Sequence, residues 1–300
     1  MPLPYKMLQT WCKYRLLPKS LSNAPDEFVK FYQQGSPNSI KKLDHRLYQG
    51  LEPKREGFKR FVVISDTHNR TSIETDIPDG DVLLHCGDAT IRSFKKEFVS
   101  FNEWIGALPH PKKIVIAGNH DRFLELRPLN TFFNVFGASD REELLEEFTN
   151  YTYIEDESIN VHGYTIYGSP WTPVHLGGFQ KQRGKSIRTK WDMIPSNTDI
   201  LLTHGPPVSV GDLTKHGDYA GCVDLLDQIQ NRIKPLFHCF GHIHEGNGVY
   251  TDTTTTYINA AICDISYKAR QPAYVFDLPE KNNEDYDLEP PPYHLEAADE

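Results

Sequence analysis

Five short apolar runs in this 300-residue chain each end in a burst of Asp, His or Asn beside glycine. Residues 61–64 run into SDTHN, 82–84 into HCGDAT, and 114–117 into GNHD. Residues 200–202 run into THGPP, and 236–240 into GHIHEG. In open α/β sheets, ligand sites gather outside the carboxyl ends of the strands. A chain with five such ends is constrained to a fold that brings them together.

The texture around them agrees. From residue 61 onward, short β-rich runs alternate with longer amphipathic segments, the pattern of an α/β domain. Strands are expected over 61–65, 81–85, 113–117, 199–203 and 236–240. Further β texture lies at 152–154, 159–167, 255–260 and 273–277. Helices are expected over 94–108, 140–150 and 223–233, the second opened by a Ser139/Glu142 capping box.

Charge divides the chain into three. Residues 1–60 carry 12 Lys/Arg against 5 Asp/Glu and read as a basic N-terminal extension. Residues 61–279 read as one folded α/β domain. Residues 280–300 carry 8 acidic side chains and one Lys, interrupted by proline, and read as an acidic, disordered tail. The basic arm suits an acidic or membrane-surface partner, although a solvated extension lying on the domain is the simpler reading. No apolar run approaches the ~20 residues a membrane helix needs. The N-terminus lacks a secretory h-region. Five scattered cysteines without CxxC spacing point to reduced thiols in a cytoplasmic protein, and away from a disulfide framework or a thiolate zinc site.

The bursts hold the chemistry. Asp66 and His68 are two apart and share a face of an extended segment, as do His242 and His244. Asp88 follows Gly87; Asn119 and His120 follow Gly118; His204 precedes the rigid Gly205-Pro206-Pro207 turn. Singly, each has an ordinary explanation: a strand-end Asp caps or turns, and a lone His sits hydrogen-bonded at the surface. Jointly they supply two carboxylates, one amide oxygen and several imidazoles, with no thiolate. That set suits Mn²⁺, Fe or Zn²⁺ rather than Ca²⁺. It is too large for one tetrahedral ion and suffices for two divalent metal ions sharing a carboxylate.

The ordered motifs DTH (66–68), GD (87–88), GNHD (118–121), THG (203–205) and GHIH (241–244) resemble those of the calcineurin-like metallophosphoesterases. YGSPWTP (167–173), LLTHGPP (201–207), FGHIHEG (240–246) and TTYINA (255–260) resemble more closely an animal subfamily. It comprises the metallophosphoesterase-domain-containing proteins of the fetal-brain type, related to class III cyclic-nucleotide phosphodiesterases.

The resemblance implies a metallophosphoesterase-type β-sandwich flanked by helices, in four αββα layers. It implies Asp66, His68 and His244 on one metal, Asn119, His204 and His242 on the other, and Asp88 bridging them, with Mn²⁺ the first choice of ion. It makes His120 the group that meets the phosphate or protonates the leaving oxygen, with Asp121 orienting its imidazole. The activity implied is hydrolysis of small phosphodiesters such as cyclic nucleotides, by a metal-activated hydroxide attacking phosphorus in line. Asn119 and Asn69 are further candidates for substrate contact. Trp171 offers a flat face for a nucleobase or, more simply, packs. His85 and His238 lie within strand runs and read as core or supporting histidines; His162, His175 and His216 are candidates for the pocket border. Two other readings remain: a nucleotide-binding or scaffold protein of low turnover, and a phosphomonoesterase or phosphoprotein phosphatase on the same fold. Stable nucleic-acid binding is not expected.

Overall fold

The structure, a computed structural model, describes residues 24–32, 40–49, 52–70, 76–125 and 138–281. The acidic tail expected from 280 onward falls outside these residues beyond position 281, as does much of the basic N-terminal segment. In chain order the described elements are α1 (Pro25–Tyr32), β1 (Lys41–Lys42), β2 (Phe58–Ile64), β3 (Val82–His85), α2 (Lys95–Ala107) and β4 (Lys112–Val115). They continue with α3 (Ala138–Glu146), β5 (Thr152–Tyr153), β6 (Glu157–Val161), β7 (Tyr164–Ser169), β8 (Thr172–Pro173), β9 (Gln180–Lys181) and α4 (Lys185–Trp191). Then come β10 (Ile200–Thr203), α5 (Val223–Gln228), β11 (Phe237–Phe240), β12 (Gly248–Thr251), β13 (Thr256–Asn259) and β14 (Tyr274–Pro279).

Two sheets face each other. One runs β14-β2-β3-β4-β5, the other β1-β12-β13-β11-β10-β7-β6. In the first, β2, β3, β4 and β5 are parallel and β14 is antiparallel to β2. In the second, β7, β10, β11 and β13 are parallel, with antiparallel strands at both edges.

The period-2 geometry of a strand sorts each apolar run between two layers. Phe61 and Val63 face inward with Ile200, Leu202, Phe237, Cys239 and Phe276, forming the core between the sheets. Val62 and Ile64 face outward and pack with Phe101 and Ile105 of α2. On the far side, Tyr167, Leu201 and Tyr257 pack with Ile187 and Trp191 of α4 and with Val223, Leu225 and Leu226 of α5. The order is therefore helix, sheet, sheet, helix. The ring of Phe276 stacks on Phe61 at 5.1 Å and on Phe237 at 3.7 Å, so it ties the sheets together. Truncating such a buried ring costs ~3–5 kcal/mol.

Some expectations shift. The β texture at 159–167 is two strands, β6 and β7, folded about His162 (φ 53°) and Gly163 (φ 84°). Positive φ at both positions is the tight-hairpin geometry. The helix expected over 223–233 changes pitch after Gln228 and finishes as a π turn through Ile233. The side chain of Ser139 lies outside the described residues, so the capping box has no structural account. Part of the basic segment is built into the domain: β1 pairs with β12, and Phe28 and Val29 of α1 are buried against the α4–α5 side. Among the described residues, no helix is long and apolar enough to cross a membrane.

Candidate functional site

The carboxyl ends of β2, β3, β4, β10 and β11 meet at one end of the sandwich. The sheets join there: Ser65 bridges to Ala261, and Ile262 donates its N–H to the Ser65 carbonyl at 2.9 Å. The loops after β2 and β3 zip together through Asp66 N to Gly87 O (2.9 Å), His68 N to Asp88 O (3.0 Å) and Asn69 N to Ala89 O (2.8 Å). This pairing forces left-handed backbone at Asp66 (φ 54°), His68 (45°), Asn69 (55°) and Asp88 (57°), and His242 adopts it as well (68°). Asp, Asn and His tolerate that region better than most side chains. Strain of this kind clusters where a structure must aim side chains.

Two glycines make room for the carboxylates. A Cβ on Gly118 would stand 2.2 Å from Asp88 Oδ1, and one on Gly241 would stand 2.0 Å from Asp66 Oδ2.

The side chains converge in two groups. The donor atoms of Asp66, His68 and His244 lie within 4.8 Å of one another, as do those of Asp88, His204 and His242. Asp88 lies between the groups, with Oδ2 3.3 Å from His204 Nε2 and 3.9 Å from His68 Nε2. Asn119 joins the second group, its Oδ1 2.9 Å from His204 Nε2, while its amide donates to Leu176 O at 2.9 Å. All seven residues expected as metal ligands are thus brought together.

The donor set fits two cations. His68, His204 and His244 each place Nδ1 against a backbone carbonyl: Thr90 O at 3.1 Å, Cys86 O at 2.9 Å and Asp264 O at 2.9 Å. A carbonyl accepts only, so each Nδ1 carries hydrogen and each Nε2 is turned into the site. Asp66 Oδ1 is buried without a hydrogen-bond donor, although His244 Nε2 lies 3.3 Å away. Burial would raise Asp66, but the His244 imidazole holds it well below the usual carboxylate range. Burial likewise opposes Asp88, and His204 holds it low. Burial pushes His68 down to about 4 and His242 down to about 3. It opposes protonation of His204 and His244 too, but Asp88 and Asp66 override it and raise both to about 9. Carboxylates that hold protons on neighbouring imidazoles attract any cation placed there, and a metal competes with those protons for the same lone pairs.

His120 joins His68 and Asp88 within the same 4.8 Å span, and its ring stands 4.8 Å from that of His68. Its Nδ1 donates to Ile91 O at 2.7 Å, and its backbone N–H donates to Asp88 Oδ1 at 2.8 Å. The expected Asp121 contact to this imidazole is not made. The Asp121 carboxylate instead accepts from Ala89 N, Thr90 N, Thr90 Oγ1 and Gly118 N. Neighbours in a tight turn point apart, so Asp121 positions the 89–91 loop that carries the Ile91 carbonyl. Burial next to Asp88 pushes it up to about 6.

Two other candidates lie apart from the groups. Trp171 is 8% exposed; its indole donates to Asp156 at 2.8 Å, and Lys190 and Lys181 sit over its ring at 4.4 and 5.0 Å. With its polar edge and its face both engaged, it has little surface to offer a base. Asn69 Oδ1 is buried without a hydrogen-bond partner and belongs to neither group.

The sequence reading named His175 as a pocket-border candidate and His85 and His238 as supporting histidines, but it missed Tyr267 and the threonines Thr67 and Thr203. Tyr267 packs its ring 4.8 Å from His68 and 5.3 Å from His244. The His175 ring stands 5.9 Å from that of His242. His85 and His238 support the loops through Thr67 Oγ1 (3.0 Å) and Thr203 Oγ1 (2.8 Å). Both threonines lie inside the quoted motifs, and that adjacency was the signal available.

Comparison with known proteins agrees with this geometry. The calcineurin-like phosphoesterase family profile matches residues 59–246. Human and mouse metallophosphoesterase domain-containing protein 1 are each 44% identical over 278 residues, covering 87% of this chain and 84% of their own. A UPF0046 protein of Caenorhabditis elegans is 40% identical over 274 residues, covering 86% of this chain and 94% of its own. Five ordered motifs, a helix-flanked pair of sheets and two groups of metal-ligand side chains thus converge with these matches, and the chain belongs to the calcineurin-like phosphoesterase family.

Proposed function

We propose that this protein is a dimetal phosphodiesterase acting on small phosphodiesters, with cyclic nucleotides as the first candidates. The observation that carries the reading is the placement of Asp88 between the two groups, with His120 beside His68 and Asp88. Asp66, His68 and His244 would hold one cation and Asn119, His204 and His242 the other, with Asp88 shared. Nitrogen and oxygen donors of this kind accept Mn²⁺, Fe or Zn²⁺, and Mn²⁺ is the first choice. Bound there, two divalent ions supply Lewis-acid neutralisation of phosphoryl oxygens and acidify water toward neutrality.

The side chains supply the rest. His120, fixed through Nδ1 by the Ile91 carbonyl, turns Nε2 toward the site. Protonated there, it donates to the leaving oxygen, a step typically worth ~10²–10⁴ in rate. Asp121 keeps the 89–91 loop, and with it that hydrogen bond, in register. Exposed Leu176 and Tyr267 lie beside the groups, Leu176 through its carbonyl on Asn119 and Tyr267 through its ring against His68 and His244. Apolar surface beside the metal groups suits the second esterified group that a diester has and a monoester lacks. Four buried free cysteines (Cys86, Cys222, Cys239, Cys263) support a reducing compartment such as the cytoplasm.

The test compares bis(p-nitrophenyl) phosphate with p-nitrophenyl phosphate on Mn²⁺-loaded protein. Higher kcat/KM on the diester is expected. Preference for the monoester would overturn the diesterase assignment.

A further inference from the structure

We infer that Tyr267 is a specificity-determining residue whose ring is the platform for a flat group, a nucleobase or an aryl ring, carried on the leaving-group side of the substrate. The inference rests on the proposed phosphodiesterase reading and on His120 as proton donor.

Three rings define the position. The His68 ring is 4.8 Å from that of His120 and 4.8 Å from that of Tyr267; His120 and Tyr267 are 6.3 Å apart. His68 is buried at the apex, whereas His120 is partly exposed and Tyr267 is 38% exposed. An oxygen protonated by His120 therefore leaves next to the Tyr267 ring. Whatever is attached to that oxygen meets this aromatic face first, and π-faces stack on any base.

The ring is held in place. The loop closes through Asp264 N to Lys268 O and Tyr267 N to Asp264 O, both 2.9 Å. The Asp264 carboxylate accepts from Ser266 N at 2.7 Å and Lys268 N at 3.1 Å, and it pairs with Arg270. The same Asp264 carbonyl receives His244 Nδ1 at 2.9 Å, so the loop is registered on the metal-ligand group itself. Tyr267 has φ 57°, a backbone conformation that glycine or asparagine adopts more easily. A bulky ring kept there at the expense of strain, half in solvent, serves something other than burial. A surface held rigid before binding loses little entropy on binding.

The test uses Mn²⁺-loaded full-length protein and its Tyr267→Ala, Tyr267→Phe and Tyr267→Leu variants. Calorimetry measures binding of AMP and of ribose 5-phosphate, which share a phosphate and differ in the base. Steady-state kinetics on bis(p-nitrophenyl) phosphate run alongside. Tyr267→Ala is expected to weaken AMP about tenfold, the scale of one lost aromatic stack, with a much smaller change for ribose 5-phosphate. The kinetic loss is expected in KM more than in kcat. Tyr267→Phe should restore AMP binding; Tyr267→Leu, which keeps apolar bulk without a flat face, should not. Equal weakening of both ligands, or a lowered metal stoichiometry, would mean that the ring only packs the histidines and would overturn the inference. So would unchanged AMP binding in the Ala and Leu variants. If the wild type turns over no diester, the phosphodiesterase reading fails, and the AMP to ribose 5-phosphate ratio still decides the platform separately.

Discussion

His68 Nε2 and His244 Nε2 face each other at 3.2 Å, while both rings give their Nδ1 hydrogens to backbone carbonyls. With Nδ1 of each ring already carrying hydrogen, the two Nε2 atoms can face each other only where a positive charge lies between or beside them. In the metal-free chain that charge is the proton of His244, raised to about 9. In the folded chain, Asp66 and Asp88 supply the field that draws one there. The pair is thus a preformed half of a cation site, and its companion around His204 is built by the same device.

Metal-stripped protein should therefore bind two Mn²⁺ per chain by calorimetry, and His244→Ala should lose one site while keeping the other. At about 100 times Kd, a single bound ion adds about 2.7 kcal/mol of stability. A rise in Tm of several degrees on adding Mn²⁺ should accompany the binding. No rise, and no second site, would contradict the two-group reading.

Gly118→Ala should cripple the site without unfolding the sandwich. The new methyl would press on Asp88 Oδ1 at 2.2 Å and on the Asp88 backbone nitrogen at 2.5 Å. Displacing a catalytic constellation by about 1 Å can cost ~10² in rate. The expected result is at least that loss in kcat with a far-ultraviolet circular dichroism spectrum like the wild type's. Retained turnover would show that Asp88 is free to move.

How far the sequence already carried this site is a matter of which contacts are local. The seven candidate ligand positions stood out because each follows a short apolar run, and a strand delivers the residues at its end to a fixed place; their division between two cations came from the family resemblance. The apolar runs at 61–64 and 200–202 likewise read correctly as strands, since the structure covers both of their faces. Asp121 was misread because adjacency in sequence is not contact: its carboxylate turns toward Thr90 and Gly118. Tyr267 carried no motif, and only folding brings it to His68, about two hundred residues earlier. The β6–β7 hairpin was hidden because Ile159 and Ile166 continue one apolar texture across a turn marked only by His162-Gly163. Helix α4 is seven residues long and too short for its period to stand out.

Asp212 should give stability a dependence on pH. It is 2% exposed, accepts the Gly221 N–H at 3.0 Å, and is pushed up to about 7 by burial. In the unfolded chain it ionises near about 3.9. The fold therefore favours its protonated form. The stability it contributes is fully present below about pH 4 and is lost as pH rises to about 7, at about 1.4 kcal/mol per pH unit. Urea denaturation at about pH 5, 6 and 7 should show Asp212→Asn gaining on the wild type as pH rises. Parallel profiles would contradict the assignment.

His85 should matter to stability although it touches no ligand position directly. Its Nδ1 accepts the Gly87 N–H at 3.2 Å and its Nε2 meets Thr67 Oγ1 at 3.0 Å, both in buried surroundings. Burial holds the ring neutral, pushing it down to about 3. His85→Phe would strand both partners, at about 1–3 kcal/mol for each buried group left unpaired. Chemical denaturation should register a loss of about 2 kcal/mol or more. A change within about 0.5 kcal/mol, the range of an ordinary surface substitution, would show that the loop does not depend on it.

The most direct test of the central claim is reconstitution of activity. Metal-stripped wild type, Asp88→Asn and His120→Ala would each be titrated with Mn²⁺ while hydrolysis of bis(p-nitrophenyl) phosphate is followed. The expected result is turnover that returns in the wild type and saturates near two ions per chain, fails to return in Asp88→Asn, and returns about 10²–10⁴-fold lower in His120→Ala. Full activity in the metal-stripped protein, or unchanged turnover in Asp88→Asn, would contradict it.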